Sequence, residues 1–307
     1  MLRFVKRHTY PTLWIDTKLY YHRFNSKMTE RLHCSLGGEK EPEILAEEHG
    51  AVGRLILNRP KALNALTCGM VEDMAAILGD WESNPSVGAI LIKGSGDRAF
   101  CAGGDVKAVV QLGRKGEYET ALRFFRSEYR LNYAIGSLVK PYIALIDGIT
   151  MGGGAGVSVH GKFRVATEKT VFAMPECAIG LMPDIGASYF LPRLLHGLLG
   201  LYLALTGARL KGIDVLRAGL ATHYVPSHLL GSLENAILGL DVSAQTLPKL
   251  LSEYQGMQGL PEGTLDSDIM QQIELIFGGK SCVEEIYEAC KASGSEFASQ
   301  TLEMMQK

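Results

Sequence analysis

Two carboxylates stand eight residues apart in Met174-Pro175-Glu176-Cys177-Ala178-Ile179-Gly180-Leu181-Met182-Pro183-Asp184, a segment otherwise apolar or turn-forming. Removing a carboxylate from water is costly, so an acid in an apolar segment needs a partner or a task. With almost nothing cationic adjacent, Glu176 and Asp184 have the setting in which a carboxyl pKa is tuned for proton transfer. The same two residues also suit plainer duties, Glu176 capping an element and Asp184 making a turn after Pro183. The segment alone leaves both open.

Two glycine-rich loops offer such acids something to work on. Ala102-Gly103-Gly104-Asp105 and Gly152-Gly153-Gly154 each follow an apolar run that reads as a buried strand. Glycine lets a backbone N–H approach a ligand without a Cβ in the way. Ala155-Gly156-Val157-Ser158-Val159 could begin a helix, aiming its positive end at the same point. Two N–H donors from separate loops would make an oxyanion hole for a carbonyl oxygen. Tight turns and close helix packing are the competing use of the same glycines. Two nucleotide-binding signals fail. Gly94-Ser95-Gly96-Asp97-Arg98-Ala99 fits the dinucleotide fingerprint G-x-G-x-x-A, but Phe100 to Gly104 is poor material for the helix that fingerprint requires. Gly278-Gly279-Lys280-Ser281 lacks the first glycine of a P-loop, Glu274 standing in its place.

The elements that must hold these loops follow from hydrophobic period. Val52 to Leu57 alternates and stops at Asn58-Arg59-Pro60, as a strand does. Thr67 is placed to cap a helix through about Trp81, with Met70, Met74, Ile77 and Leu78 on one face, and Asn84-Pro85 ends it. Val87 to Ile92 and Pro141 to Ile146 read as strands covered on both faces. Residues 94–105 read as a loop, followed by helix through about Val139. Phe163-Arg164-Val165-Ala166 and Val171-Phe172-Ala173-Met174 read as short strands, and from Ala187 onward the signals are helical. Strand-helix alternation with a helical tail predicts an α/β core and a helical C-terminal part. The ordered chain is expected from about residue 43, with a core over 43–235 and a helical region over 236–307.

Bulk composition excludes several classes. The 307 residues are 47% hydrophobic and 21% charged with a net charge of -2, ordinary values that give no global reason to expect nucleic acid or membrane binding. No apolar run approaches the roughly 18 residues that span a bilayer. Cys34, Cys68, Cys101, Cys177, Cys282 and Cys290 form no C-x-x-C pair and have no histidine at ligand spacing, so neither a disulfide framework nor a zinc site is expected. Cys101 and Cys177 have no base beside them in sequence and read as structural thiols. His160, near the end of the helix expected after Gly154, reads as a structural histidine. Up to Ser26 the chain carries Arg3, Lys6, Arg7, Lys18 and Arg23 against a single acid, Asp16, which reads as an organellar transit peptide over about residues 1–35.

Asn58-Arg59-Pro60-Lys61-Ala62-Leu63-Asn64-Ala65-Leu66, Ala99 to Asp105, and Asp147-Gly148-Ile149-Thr150-Met151-Gly152-Gly153-Gly154 together resemble the crotonase (enoyl-CoA hydratase/isomerase) superfamily. Ser158-Val159-His160-Gly161, Met174-Pro175-Glu176 with Pro183-Asp184, and Tyr189-Phe190-Leu191-Pro192-Arg193 resemble its 3-hydroxyisobutyryl-CoA hydrolase branch. The resemblance implies a spiral of ββα units, homo-oligomers that are often trimers, a mitochondrial location and a role in valine breakdown. It implies a bent acyl-CoA thioester whose oxygen is held by the N–H groups of Gly104 and Gly153. Glu176 matches the catalytic glutamate. Asp184 matches the acid that contacts the substrate hydroxyl or the attacking water, and Glu128 a further substrate-contacting acid. Coenzyme A is part of the substrate, and no metal or other cofactor is implied. Lys61 is placed either near the CoA phosphates or on a solvated surface.

Two departures from the superfamily pattern matter. Related hydratases carry a second catalytic glutamate three residues after the oxyanion-hole glycine, where this chain has Gly156. Adding water across a double bond needs one group to activate water and another to protonate carbon, so thioester hydrolysis is favoured over hydration. Glu176 would activate water or attack directly to give an anhydride. Members of the hydrolase branch also continue with further helices past Lys307, so the helical region reads as truncated. That keeps a non-catalytic scaffold, such as a mitochondrial small-ribosomal-subunit component, as an alternative beside a hydratase or isomerase.

Overall fold

The apolar hexapeptides become the middle of a six-stranded sheet. In the computed structural model, which describes residues 41–241, 246–257 and 259–306, the strands are β1 (Ile44–His49), β2 (Val52–Leu57), β3 (Ala89–Gly94), β4 (Ala99–Cys101), β5 (Tyr142–Ile146), β6 (Ile149–Met151), β7 (Phe163–Ala166), β8 (Val171–Ala173), β9 (Leu210–Lys211) and β10 (His223–Tyr224). The larger sheet runs β1-β2-β3-β5-β7-β10 and is parallel except for the β1–β2 hairpin. The smaller runs β4-β6-β8-β9, parallel through its first three strands. Each successive unit gives one strand to each sheet: β3 with β4, β5 with β6, β7 with β8. This is the spiral of ββα turns expected of the chain.

The period-2 alternation sends side chains to two cores. Leu55, Leu57, Ile90, Ile92, Ala144 and Ile146 face the main cluster, while Val52, Leu91, Ile143, Leu145 and Val165 face a second one with Leu233, Ile237, Leu247 and Leu251. Every residue of β5 is buried, because layers cover both of its faces. Each fully buried leucine or isoleucine contributes about 1.5–3 kcal/mol relative to exposure.

The first helices are α1 (Cys68–Ser83), α2 (Val106–Arg114), α3 (Tyr118–Ser137) and the single turn α4 (Gly153–Gly156). Thr67 caps α1 as its sequence requires, the hydroxyl accepting from Met70 N at 3.1 Å, and Met70, Met74 and Leu78 line the buried face. Helices at Leu199–Thr206, Ser267–Phe277, Val283–Ser293 and Glu296–Met305 add Leu199, Leu203, Ile273, Ile276, Phe277, Ile286 and Ala298 to the main core.

Several local expectations change. β1 was not anticipated; its central residues Ala46, Glu47 and Glu48 are exposed on a sheet edge and carry little hydrophobic signal. Residues 94–105, expected as a loop, contain β4, and β6 arises just before the second glycine run. The stretch 106–139 is two helices, broken at Lys115-Gly116, where Gly116 has φ 77°. The helix after Gly154 is one turn that starts at Gly153, so His160 lies beyond it in a turn. The transit-peptide reading and Cys34 lie outside the described residues.

Candidate active site

The Asn58–Leu66 segment acts as a clamp that shapes the first glycine loop. Leu63 and Asn64 both adopt left-handed backbone, and the buried Asn64 amide donates to the carbonyls of Ser95 and Ala99 at 2.9 Å each. Its Oδ1 accepts from Arg59 N at 2.9 Å, and Arg59 reaches Asp105 Oδ2 at 3.3 Å. Leu66 N donates to Gly103 O at 2.8 Å, and Asp105 N donates to Leu66 O at 2.9 Å. The Gly103 carbonyl and the Asp105 N–H are thus consumed by this ladder, whereas the intervening Gly104 N–H takes no part in it. Gly103, with φ 110°, supplies the reversal that points the loop back at β6.

Gly153 lies directly across. A Cβ built there would be 3.1 Å from Gly104 N, 3.3 Å from Leu66 Cδ1, and would overlap Glu128 Oε1. Gly153 is the first residue of α4, where a backbone N–H has no intrahelical acceptor. The two N–H groups named from the sequence are therefore neighbours, from loops that follow β4 and β6.

The three acids converge on the same place from different elements. Glu176 opens a 3-10 turn, Glu176–Ile179, just after β8, and its Oε1 lies 3.0 Å from where a Gly152 Cβ would be. Glu128 comes from α3 and Asp184 from the loop before Ala187. Glu128 is 2% exposed and Glu176 5% exposed, and Glu128 Oε1 and Glu176 Oε2 are buried without a hydrogen-bond partner among the described residues. Burial pushes Glu128 up to about 8, with the charges of Asp184 and Glu176 adding to it. Burial likewise raises Glu176 to about 7, opposed by a bond from its own backbone and reinforced by Asp184. Asp184 is also raised by burial, but the Tyr129 hydroxyl, donating to its Oδ2 at 2.8 Å, pulls the other way. The result is three carboxyls with graded proton affinity within one another's field.

That grading has a stability consequence. A carboxyl whose folded pKa is raised stabilises the fold fully below its unfolded value near 4.5, and the contribution is lost as pH rises through the folded pKa of about 8. Glu128→Gln should accordingly melt higher than wild type at pH 9 by about 1–3 kcal/mol, with the gain shrinking toward pH 5. Thermal melts of both proteins across this range check it; a gain that is largest at pH 5 would contradict the burial assignment.

Residues around the acids hold the frame. His160 is half-buried, and its Nε2–H donates to Ile185 O at 2.7 Å, while burial lowers its pKa. It braces an unusual turn: Ile185, a β-branched residue, sits at φ 46° directly after Asp184. Burial pushes the Cys101 thiol up to about 12, and Cys177 is raised as well, so neither is an activated nucleophile. Lys61 is exposed on the turn Pro60–Ala62. Sequence reasoning missed Tyr129, an aromatic residue on a mostly polar helix whose partner lies 55 positions away.

The enoyl-CoA hydratase/isomerase family model matches residues 52–307. This chain belongs to that family. It is 51% identical over 269 residues to the mitochondrial 3-hydroxyisobutyryl-CoA hydrolase of Gallus gallus, covering 86% of this chain and 69% of the relative. It is 47% identical over 296 residues to the protein of the same name from Xenopus laevis, covering 95% and 76%. Among solved structures it superposes on a carnitinyl-CoA dehydratase from Mycobacterium thermoresistibile with a TM-score of 0.79 and 40% identity, covering 86% of this chain and 75% of that one. Gly156 is tightly enclosed. A Cβ at Gly156 would lie 2.7 Å from Asn132 Nδ2 and 2.9 Å from Ile185 Cβ, which leaves no room for a glutamate side chain.

Proposed function

We propose that the chain hydrolyses the thioester of a short, branched β-hydroxyacyl-CoA, 3-hydroxyisobutyryl-CoA, to 3-hydroxyisobutyrate and CoA in the mitochondrion, as a step in valine breakdown. The observation that carries this is Glu176: buried, raised to about 7, with Oε2 unpartnered, beside two glycine N–H groups and with no second acid at position 156. The hydrolase names of relatives 47–51% identical to it support the same substrate.

In this reading the thioester oxygen accepts from the N–H groups of Gly104 and Gly153, which polarise the carbonyl and stabilise the tetrahedral oxyanion. Each donor is worth about 3–4 kcal/mol of barrier when well placed. Glu176 supplies the carboxylate, either taking a proton from an attacking water or attacking the carbonyl carbon to give an anhydride that water then opens. In both routes the C–S bond breaks, CoA leaves as the thiolate, and a proton from the water restores the thiol. Asp184 and Glu128 orient substrate and water. The chemistry proceeds on these groups without a metal or redox cofactor, and the working assembly is a homo-oligomer.

Buried unpartnered acids also bear on the scaffold alternative, since they destabilise a protein that has no substrate to meet them. The direct test is release of CoA thiol from 3-hydroxyisobutyryl-CoA by the purified protein. No release from a folded sample would overturn the proposal.

Tyr129 gives a second handle. Removing its hydroxyl takes a donor from the ionised form of Asp184, whose pKa then rises. Tyr129→Phe should shift the Asp184 step of the kcat/KM profile to higher pH, so that activity falls more at acidic than at alkaline pH. A uniform loss across pH would mean that Tyr129 serves packing alone.

A further inference from the structure

Asn132 is a buried amide for which neither the fold nor the acids above have a use. It lies on α3 one turn after Glu128, on the same helix face, and is 5% exposed. Both Nδ2 and Oδ1 are buried without a hydrogen-bond partner among the described residues. Such a group costs stability unless something outside the fold satisfies it.

Its position says where that something would be. Glu128 sits against Gly153 and Asn132 against Gly156, so two successive turns of α3 present polar groups to the two ends of α4. A Cβ at Gly156 would fall 2.7 Å from Asn132 Nδ2, 3.2 Å from its Cγ and 2.9 Å from Ile185 Cβ. The amide therefore fills the gap between the turn that carries the Gly153 N–H and the residue next to Asp184. A carbonyl oxygen held on the Gly153 N–H would stand one turn of α4 away from this amide.

Chemistry narrows the ligand. Ionised Asp184 would only accept hydrogen bonds, whereas an amide offers one acceptor and two donors. A hydroxyl is the complementary group, because it donates and accepts at once. We propose that Asn132 recognises the β-hydroxyl of the acyl chain and so sets the preference for hydroxylated over plain branched acyl thioesters. The assignment rests on the hydrolase reading above. A site that pairs a substrate hydroxyl rejects an analogue lacking it, since its own polar atoms are then left unmet.

The test compares 3-hydroxyisobutyryl-CoA with isobutyryl-CoA, the same thioester without the hydroxyl, in wild type, Asn132→Leu and Asn132→Asp. Asn132→Leu should lower kcat/KM for the hydroxylated substrate by about 10–100-fold and leave isobutyryl-CoA within about threefold of wild type. Asn132→Asp, which keeps the shape and an acceptor, should fall between the two. Asn132→Leu should also melt at or above the wild-type temperature, because it removes unmet polar atoms. Equal losses on both substrates would assign Asn132 to the attacking water or to the frame and overturn the proposal, as would an unchanged substrate ratio or a lower melting temperature accompanying a general loss. Failure of wild type to release thiol from either substrate would overturn the hydrolase reading and the assignment with it; turnover of the hydroxylated substrate with no effect of Asn132 would overturn the assignment alone.

Discussion

Glu176→Gln lowers kcat for 3-hydroxyisobutyryl-CoA by about 10³–10⁴-fold with little change in KM. Glutamine keeps the shape of the side chain, so the 3-10 turn Glu176–Ile179 and the packing around Gly152 persist. What it loses is the capacity to accept a proton or to attack carbon, and a positioned base or nucleophile supplies an effect of this size. KM changes little because binding through the CoA moiety and the two N–H donors is untouched. The variant is also expected to melt higher than wild type above pH 7, where the native carboxyl must ionise in a buried place. Thiol-release kinetics together with melts at pH 6 and pH 9 read both effects. Retention of more than about a tenth of wild-type kcat would remove Glu176 from the chemistry.

Gly153→Ala lowers kcat by about 10²–10³-fold through displacement rather than deletion. The alanine keeps its N–H, but its methyl collides with the Glu128 carboxylate and presses within 3.1 Å of Gly104 N. Whichever side yields, the two donors no longer converge on one oxygen. Because the collision is with the end of a flexible side chain, the fold survives. Gly154→Ala is the contrast: its methyl would meet the Cys101 carbonyl, which is backbone, so that variant loses stability. A Gly153→Ala protein with a native melting temperature and wild-type kcat would exclude this N–H from holding the oxyanion.

Much of this site is legible in the chain because its parts are backbone devices with sequence signatures. Glycine at positions 104, 152 and 153 is required by φ values and close approaches, and the cap at Thr67 and the stops at Pro60 and Asn84 follow from local chemistry. Strands β3 and β5 were visible as apolar runs, since they are covered on both faces. Among the strands that were not visible, β4 and β6 are three residues long and merge with the glycine loops they precede, while β9 and β10 are two residues each within a stretch expected to be helical from Ala187 onward. β1 was obscured because an edge strand facing water carries Glu47, Glu48 and His49 in place of apolar alternation. Tyr129 and Asn132 belong to a helix whose polar residues look alike in sequence. Only the long-range packing of α3 on the glycine turn and on the Asp184 loop distinguishes them from solvated neighbours such as Arg126.

The smaller sheet has a consequence for how far this chemistry can be altered. Gly104, Gly153 and Glu176 follow the C-terminal ends of β4, β6 and β8, three adjacent parallel strands. Neighbouring strands lie about 4.8 Å apart whatever their side chains. The spacing between the proposed oxyanion donors and the proposed catalytic acid thus starts from a dimension of the hydrogen-bonded lattice rather than from contacts among the reacting groups. The acid can be exchanged for another group while the ruler stays in place, so a single scaffold can be re-tooled at one strand end without surrendering its grip on the thioester.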